Sequence, residues 1–476
     1  MHHAMQRSRL LRVPFALALI CLLAGAVSPA AWPAPKVRRV SIIVTGGVVV
    51  TVDADRRILS PGAIAIDGKT IVAVDRPEII AASFRAAETL DASGTVVMPG
   101  LVNTHTHAPM VMYRGLADDL ALMDWLQKYI FPAEAKTVSP EFVRTGAGLA
   151  ALEMIGSGTT TYADMYYFEE EIARVTRKAG LRGVLGETII GFPSPDAKTP
   201  SEGLARNEAF IKEFIRDELI TPAVGPHSMY TLDREGLQSS RRLADRYEVP
   251  LLIHVAETRD EMKTSRERHH MTPFAYLDSI GFLGPRVVAA HAVWVGDDEI
   301  PSLVRTSTGI SHNPESNMKL ASGTAPVPKF LSAGLAVGLG TDGAASNNDL
   351  DMFEAMRQAA FLHKLQSGDP TVVGAASAVE MATIGGARVL GLEKVIGSLE
   401  PGKRADLILV SMTGARQTPM YNPVSHLVYV SKGPDVRTTI VNGRVLMRNR
   451  RMLSLDEAAV LAEARKMAER VRRAVR

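Results

Sequence analysis

A chain of 476 residues with 46% apolar and 22% charged side chains is long enough to bury a large core and has the composition of an ordered globular protein. Its 54 Lys and Arg nearly balance 51 Asp and Glu, which leaves no electrostatic ground for nucleic acid or an anionic membrane as partner. One cysteine, Cys21, excludes a disulfide framework.

At the start, Arg7, Arg9 and Arg12 precede an apolar run from Val13 to Val27 and then Ser28-Pro29-Ala30. A basic stretch, a short apolar one and small residues at −3 and −1 describe a secretory signal over residues 1–30. The run of about 15 residues is short of the about 20 that a membrane span needs. Export to the periplasm or medium is therefore expected, with no stable membrane association after cleavage. A true start nearer Lys36 would instead leave the protein in the cytoplasm. Removal of the signal removes Cys21, so any metal must be held by nitrogen and oxygen.

Residues 37–96 read as β structure. Val40 to Val52 is rich in β-branched residues, and Asp67-Gly68 between Ala63–Ile66 and Thr70–Val74 is a hairpin signal. The texture returns over 396–450, with a strand expected at Ala405–Val410. Asn442-Gly443 there turns Thr438–Val441 into Arg444–Met447. Neither segment closes a core alone, so the two are expected to form one discontinuous sheet domain around an inserted middle.

Within that middle, residues 97–395, short apolar runs alternate with amphipathic stretches such as Glu169–Lys178 and Leu237–Tyr247. The run before His105 is followed by Thr159–Tyr162, Arg182–Leu185, Ile220–Val224, Pro250–Val255, Val287–Ala290, Gly309–Ser311 and Leu335–Leu339. Eight strands with intervening helices predict a (β/α)8 TIM barrel. The alternative is a doubly wound open sheet, and no Gly-rich phosphate fingerprint follows the first strand to support its dinucleotide form. A last helix is expected over 451–476, with Ser454 and Glu457 as a capping box.

Barrel enzymes carry their reacting groups at the C-terminal ends of the strands. The first strand ends in His105 and His107, which share a face because side chains at i and i+2 point the same way. The fourth ends at His227, the fifth at His254 three residues before Glu257, the sixth at His291, and the eighth runs into Asp342. Five of the chain's 12 histidines thus fall at strand ends. Five imidazoles with one Asp and one Glu at matching strand ends point to a bound metal ion.

Long motifs carry a family resemblance. V-M-P-G-L-V-N-T-H-T-H-A-P-M, R-G-L-A-D-D-L-A-L-M-D-W-L, F-P-A-E, H-V-A-E-T, S-H-N-P-E-S-N-M-K-L-A-S-G, G-L-G-T-D-G-A-A-S-N-N and E-P-G-K-R-A-D-L-I-L-V span residues 40–450. Together they resemble the amidohydrolase superfamily, in the branch of S-adenosylhomocysteine/5′-methylthioadenosine deaminases and triazine chlorohydrolases. The resemblance implies a metal-dependent barrel with a composite β-sandwich from both termini. His105, His107, His254 and Asp342 would hold one divalent ion, three imidazoles and a carboxylate that suit zinc first, with Fe2+ or Mn2+ open on ligand type, and the absence of a lysine near His227 argues against two. His291 and Asp342 would orient and deprotonate the attacking water, while Glu257 would protonate a ring nitrogen. Glu134 and His227, with Glu257 and Asp342, would touch the substrate, and Trp125 would wall the pocket or sit in the core. Relatives that accept S-adenosylhomocysteine carry an arginine for its carboxylate near the end of the third strand. Glu187 aligns there, and a carboxylate would repel that group.

The expected activity is hydrolytic deamination of an amino-substituted purine of adenosine, 5′-methylthioadenosine or S-adenosylhomocysteine type. The alternative is cleavage of another heterocycle C–N or C–Cl bond, as in guanine or cytosine deaminases or triazine chlorohydrolases. A homo-oligomer acting on a small heterocycle is expected. An exported, catalytically inactive binding protein on the same fold would require a broken ligand set, and this ligand set is whole.

Overall fold

The computed structural model describes residues 37–475, so the expected signal and Cys21 lie outside the described residues. Eight parallel strands form one sheet in chain order: Leu101–Thr106, Thr159–Tyr166, Arg182–Ile189, Ile220–Pro226, Leu251–Val255, Val287–His291, Gly309–His312 and Val337–Leu339. Of their residues only Thr221 escapes full burial. Strands covered on both faces read as continuous apolar runs, which is why they were legible as short unbroken blocks.

The connecting helices start on residues that can cap them. Ser139 accepts from the Phe142 amide to open Pro140–Ser157, Asp233 from Gly236 to open Arg234–Tyr247, and Thr258 from Glu261 to open Arg259–His269. The seam between the last strand and the first is closed by side chains. The Asn103 amide donates to Thr341 Oγ1 at 2.8 Å and accepts from the Thr341 amide at 3.1 Å, and the Asp342 amide donates to the His105 carbonyl at 2.9 Å. Residues that need to reach the mouth are thereby fastened across the closure. The result is the (β/α)8 barrel rather than the open sheet.

The terminal segments share a second, mixed sheet of nine strands. Its joint is Leu407–Ser411, antiparallel to Thr95–Pro99, which in turn runs parallel to Arg38–Val50. Both expected hairpins are present: Ile58–Asp67 pairs Thr70–Asp75, and Val436–Val441 pairs Arg444–Arg448 across Asn442 (φ 51°) and Gly443 (φ 74°). The chain passes from this sheet to the barrel at Gly100, where a Cβ would meet Thr160 Oγ1 at 2.1 Å. Arg182 at the bottom of the barrel forms a buried ion pair with Asp406 of the terminal sheet at 3.1 Å, and Asp406 also accepts from the Asn442 amide at 2.6 Å.

The last helix, Glu457–Val475, buries Ala464, Met467 and Val471. Its cap differs from expectation. Asp456, not Ser454, accepts from the Ala459 amide at 3.1 Å, because the carboxylate sits directly before the first turn, whereas the Ser454 hydroxyl has no hydrogen-bond partner among the described residues. No described helix is long and apolar enough to cross a membrane.

Candidate active site

Strand ends at one mouth of the barrel bring together His105, His107, His254, His291 and Asp342. Ala256, His291, Ala292 and Asp342 all hold left-handed backbone (φ 54°, 74°, 47° and 64°) just where the fifth, sixth and eighth strands end. Non-glycine residues at positive φ carry strain that the surrounding structure must enforce. Here the sharp turns aim the side chains at the barrel axis.

The donor atoms converge. His107 Nε2 lies 3.3 Å from His254 Nε2 and 3.3 Å from Asp342 Oδ1, and His105 Nε2 lies 3.5 Å from the same oxygen. Ligands about 2.0–2.1 Å from a tetrahedral zinc ion would be about 3.3–3.4 Å apart, so these separations are those of a ligand set. His105 Nε2 is buried with no hydrogen-bond partner among the described residues, which an ion at this point would satisfy. The other ring nitrogens set the tautomers: His107 Nδ1 donates to the Met165 carbonyl at 2.7 Å, and His254 Nδ1 to the His227 carbonyl at 2.8 Å. Each leaves Nε2 as a lone pair. Burial lowers the pKa of His105 to about 4 and that of His254 well below the ordinary value, so both rings are neutral as ligands must be. Burial opposes ionisation of Asp342, yet its contact with His105 and the nearby imidazoles hold its carboxyl well below the usual range. Ser316 Oγ donates to Asp342 Oδ2 at 2.7 Å and leaves Oδ1 facing the histidines.

Beside this cluster, His291 Nε2 is 3.8 Å from Glu257 Oε2 and 3.9 Å from Asp342 Oδ2. Burial works against a charge on His291, but Glu257 and Asp342 outweigh it and raise its pKa. The opposite face of the ring is fixed by Asn317, whose Oδ1 accepts from Nδ1 at 2.9 Å. Burial raises the pKa of Glu257, favouring its protonated form. Its backbone is held by Glu261, which accepts from the Ala256 and Glu257 amides at 2.9 and 2.8 Å.

Above the cluster opens a narrow cleft lined by His107, Glu134, His227, His254, Glu257, His291 and Asp342 and walled by Met110, Trp125, Leu126, Phe131, Tyr166 and Tyr230, among others. Of the residues singled out from the sequence as site candidates, all line it except His105 and Glu187, so Trp125 is a cleft wall. Glu134 is buried at 5% exposure, and burial pushes its carboxyl up to about 7 against the Tyr166 hydroxyl, which donates to Oε1 at 2.7 Å. Burial lowers the pKa of His227 to about 3, leaving a neutral ring beside Ser228 and Thr231 at 3.2 Å.

Glu187 is elsewhere. Successive strand residues face opposite ways, and on the third strand it is Thr188 that lines the cleft. Glu187 points into the helix layer, where it accepts from the Glu169 amide at 3.0 Å and pairs with Arg206 at 3.3 Å. Its expected clash with a substrate carboxylate therefore does not arise. His312, a strand-end histidine that drew no notice in the sequence, also faces outward, with Nε2 3.0 Å from His363 Nε2. Asn317, Ser316 and Glu261 were missed as supports. Asn317 and Ser316 belong to the S-H-N-P-E-S-N motif, which was the only signal for them.

With this geometry in place, the relatives can be set beside it. Residues 96–446 match the amidohydrolase family. The chain belongs to that family. It is 45% identical over 437 residues to 5-methylthioadenosine/S-adenosylhomocysteine deaminase 1 of Syntrophus aciditrophicus, covering 92% of this chain and 99% of that one. It is 46% identical over 439 residues to 5′-deoxyadenosine deaminase of Methanosarcina acetivorans, covering 90% and 98%. The crystal structure of a zinc-bound adenosine deaminase from Xanthomonas campestris superposes with a TM-score of 0.90 at 37% identity, covering 92% of this chain and all of that one. This amidohydrolase thus shares its barrel and terminal sheet with a protein crystallised with zinc.

Proposed function

We propose that this amidohydrolase is a zinc-dependent deaminase of adenine nucleosides altered at the 5′ carbon, converting the C–NH2 group to a carbonyl and releasing ammonia. The observation that carries the reading is the pairing of Glu257 and His291 beside the ligand set, at the floor of an aromatic cleft that has Glu134 in its wall. The relatives named for 5′-deoxyadenosine, 5-methylthioadenosine and S-adenosylhomocysteine support the same substrate class.

His105, His107, His254 and Asp342 would hold the zinc ion, which supplies hydroxide as a nucleophile near neutral pH. The chain's own groups manage the protons. His291 and Asp342 take one proton from the attacking water. Glu257, whose protonated form burial favours, gives its proton to the ring nitrogen next to the amino-bearing carbon as the new C–O bond forms. As the C–N bond breaks, the proton held by His291 and Asp342 leaves on the amino group as ammonia, and the hydroxyl proton restores Glu257. Glu134 accepts from the ribose hydroxyls, and His227 offers a neutral ring to the base. Positioned proton transfer of this kind is worth about 10²–10⁴-fold.

An ammonia-release assay on 5′-deoxyadenosine, 5′-methylthioadenosine, guanine, cytosine and a chlorotriazine, with zinc measured on the same sample, tests the reading. The first two are expected to be turned over best. Chloride release from the triazine, or guanine as the best substrate, would overturn it.

A further inference from the structure

The second barrel strand, Thr159–Tyr166, supplies no metal ligand and no proton-transfer group. Its last four residues nevertheless hold parts of the site. The Thr106 hydroxyl lies 2.8 Å from the Ala163 carbonyl and 2.5 Å from Asp164 Oδ1, and the Ala108 amide donates to that same oxygen at 2.5 Å. Between those two anchors, His107 donates from Nδ1 to the Met165 carbonyl. The next residue is Tyr166, whose hydroxyl reaches Glu134 on the helix Phe131–Thr137. This is the only hydrogen bond of the Glu134 carboxyl among the described residues, and no cation there pairs with it. Burial holds the Tyr166 phenol well above its ordinary pKa, so at neutral pH it can only donate to a carboxylate. Its ring is 3% exposed and lies beside that of Tyr167, with centres 5.0 Å apart.

We propose that Tyr166 is a positioning residue for ribose recognition: its hydroxyl holds the Glu134 carboxylate in the orientation that meets the vicinal 2′ and 3′ hydroxyls of the nucleoside. The inference rests on the adenine-nucleoside reading of the cleft, with Glu134 as the ribose contact. A glutamate side chain turns freely about its bonds, and ordering it during binding costs affinity. One bond to a fixed phenol orders it beforehand. That bond also favours the charged form that burial opposes, and it is the only group in place to do so. Because Met165 fixes His107 and the adjacent Tyr166 fixes Glu134, two successive residues of one strand set the separation of the metal site from the sugar contact. A nucleoside gripped by its diol then presents its amino-bearing carbon to the ligand set at a fixed distance. Misplacement of reacting groups by about 1 Å can cost about 10²-fold in rate. The strand that contributes nothing to the chemistry thus sets the register between sugar and metal.

The test is the ratio of kcat/KM for 5′-deoxyadenosine to that for 2′,3′,5′-trideoxyadenosine, which differ only in the two ribose hydroxyls. It is measured with zinc-loaded wild type, Tyr166→Phe, Glu134→Gln and the double variant. Phenylalanine keeps the ring and loses only the donor. A hydrogen bond to a charged group is worth about tenfold or more, so the ratio is expected to fall about tenfold in Tyr166→Phe. Bound zinc, measured on the same samples, is expected to stay stoichiometric. In the Glu134→Gln background the Tyr166 change should move the ratio by less than about twofold, since a residue that acts through its partner has nothing left to lose. A tyrosine that merely packs would slow both substrates alike and in both backgrounds. An unchanged ratio in Tyr166→Phe, an equal fall in both backgrounds, or loss of zinc from the variant overturns the proposal. If wild type does not prefer the hydroxylated substrate, the ribose contact at Glu134 fails and this proposal with it. If wild type deaminates neither, the adenine-nucleoside reading itself fails.

Discussion

Glu134 offers a quantitative test of how the cleft recognises ribose. Burial moves its carboxyl from an ordinary 4.5 to about 7. At 1.36 kcal/mol per pH unit, that means the cleft disfavours the charged form by about 3 kcal/mol. Only the carboxylate can accept from both ribose hydroxyls, so binding needs the ionised form. Roughly one molecule in ten is ionised at pH 6 and roughly nine in ten at pH 8, given a pKa of about 7. KM for 5′-deoxyadenosine should therefore fall about tenfold as pH rises from 6 to 8. Stability runs the other way. Because the folded pKa lies above the unfolded one, Glu134's contribution is full below pH 4.5 and is lost as pH rises to about 7. Steady-state kinetics and thermal melts across this range on wild type and Glu134→Gln would check both. The variant should have a raised KM with little pH dependence, and 2′,3′-dideoxyadenosine should show the same flat profile with wild type. A pH-independent wild-type KM, or an equal slope for the dideoxy substrate, would refute the assignment.

Glu257→Gln keeps shape and loses the proton, so kcat is expected to drop by about 10²–10⁴-fold while zinc, measured by atomic absorption, stays stoichiometric. Unchanged turnover would sink its role. Zinc removal by a chelator should abolish deamination and lower the melting temperature, since an ion bound only by the folded state stabilises it; return of zinc should restore both. His254→Ala should prevent that recovery. Asp406→Ala leaves Arg182 buried and unpaired, which costs about 3–5 kcal/mol; a denaturant midpoint shift far below that would mean water or relaxation compensates. Export remains a proposal from the sequence, and the N-terminus of the mature protein is then expected at Ala31. Sequencing that finds a start near Lys36 in cytoplasmic protein would overturn it.

Much of this architecture was legible because burial writes itself into composition. Parallel strands covered on both faces leave unbroken apolar runs, and a metal site at their ends leaves histidines just past those runs. His105, His107, His254 and His291 could be read in that way, as could both hairpin turns. Supports were not legible, because their partners are distant in sequence and their residue types are ordinary. Asn317 reaches across 26 residues to His291, and Ser316 across 26 to Asp342. Glu261 looks like one of many helix carboxylates until its contacts with the Ala256 and Glu257 amides are seen. The misplaced cap at Ser454 has a different cause: two candidate capping residues lie two positions apart, and local pattern does not choose between them.

Glu187 shows where motif alignment stops being informative. Aligning a residue to a strand end fixes its height in the barrel but not its face, and a shift of one residue turns a side chain from the axis to the helix layer. On the third strand, parity puts Thr188 in the cleft and leaves Glu187 to Arg206. The carboxylate partner expected there is therefore not replaced by a repelling charge; that position simply has no say in recognition.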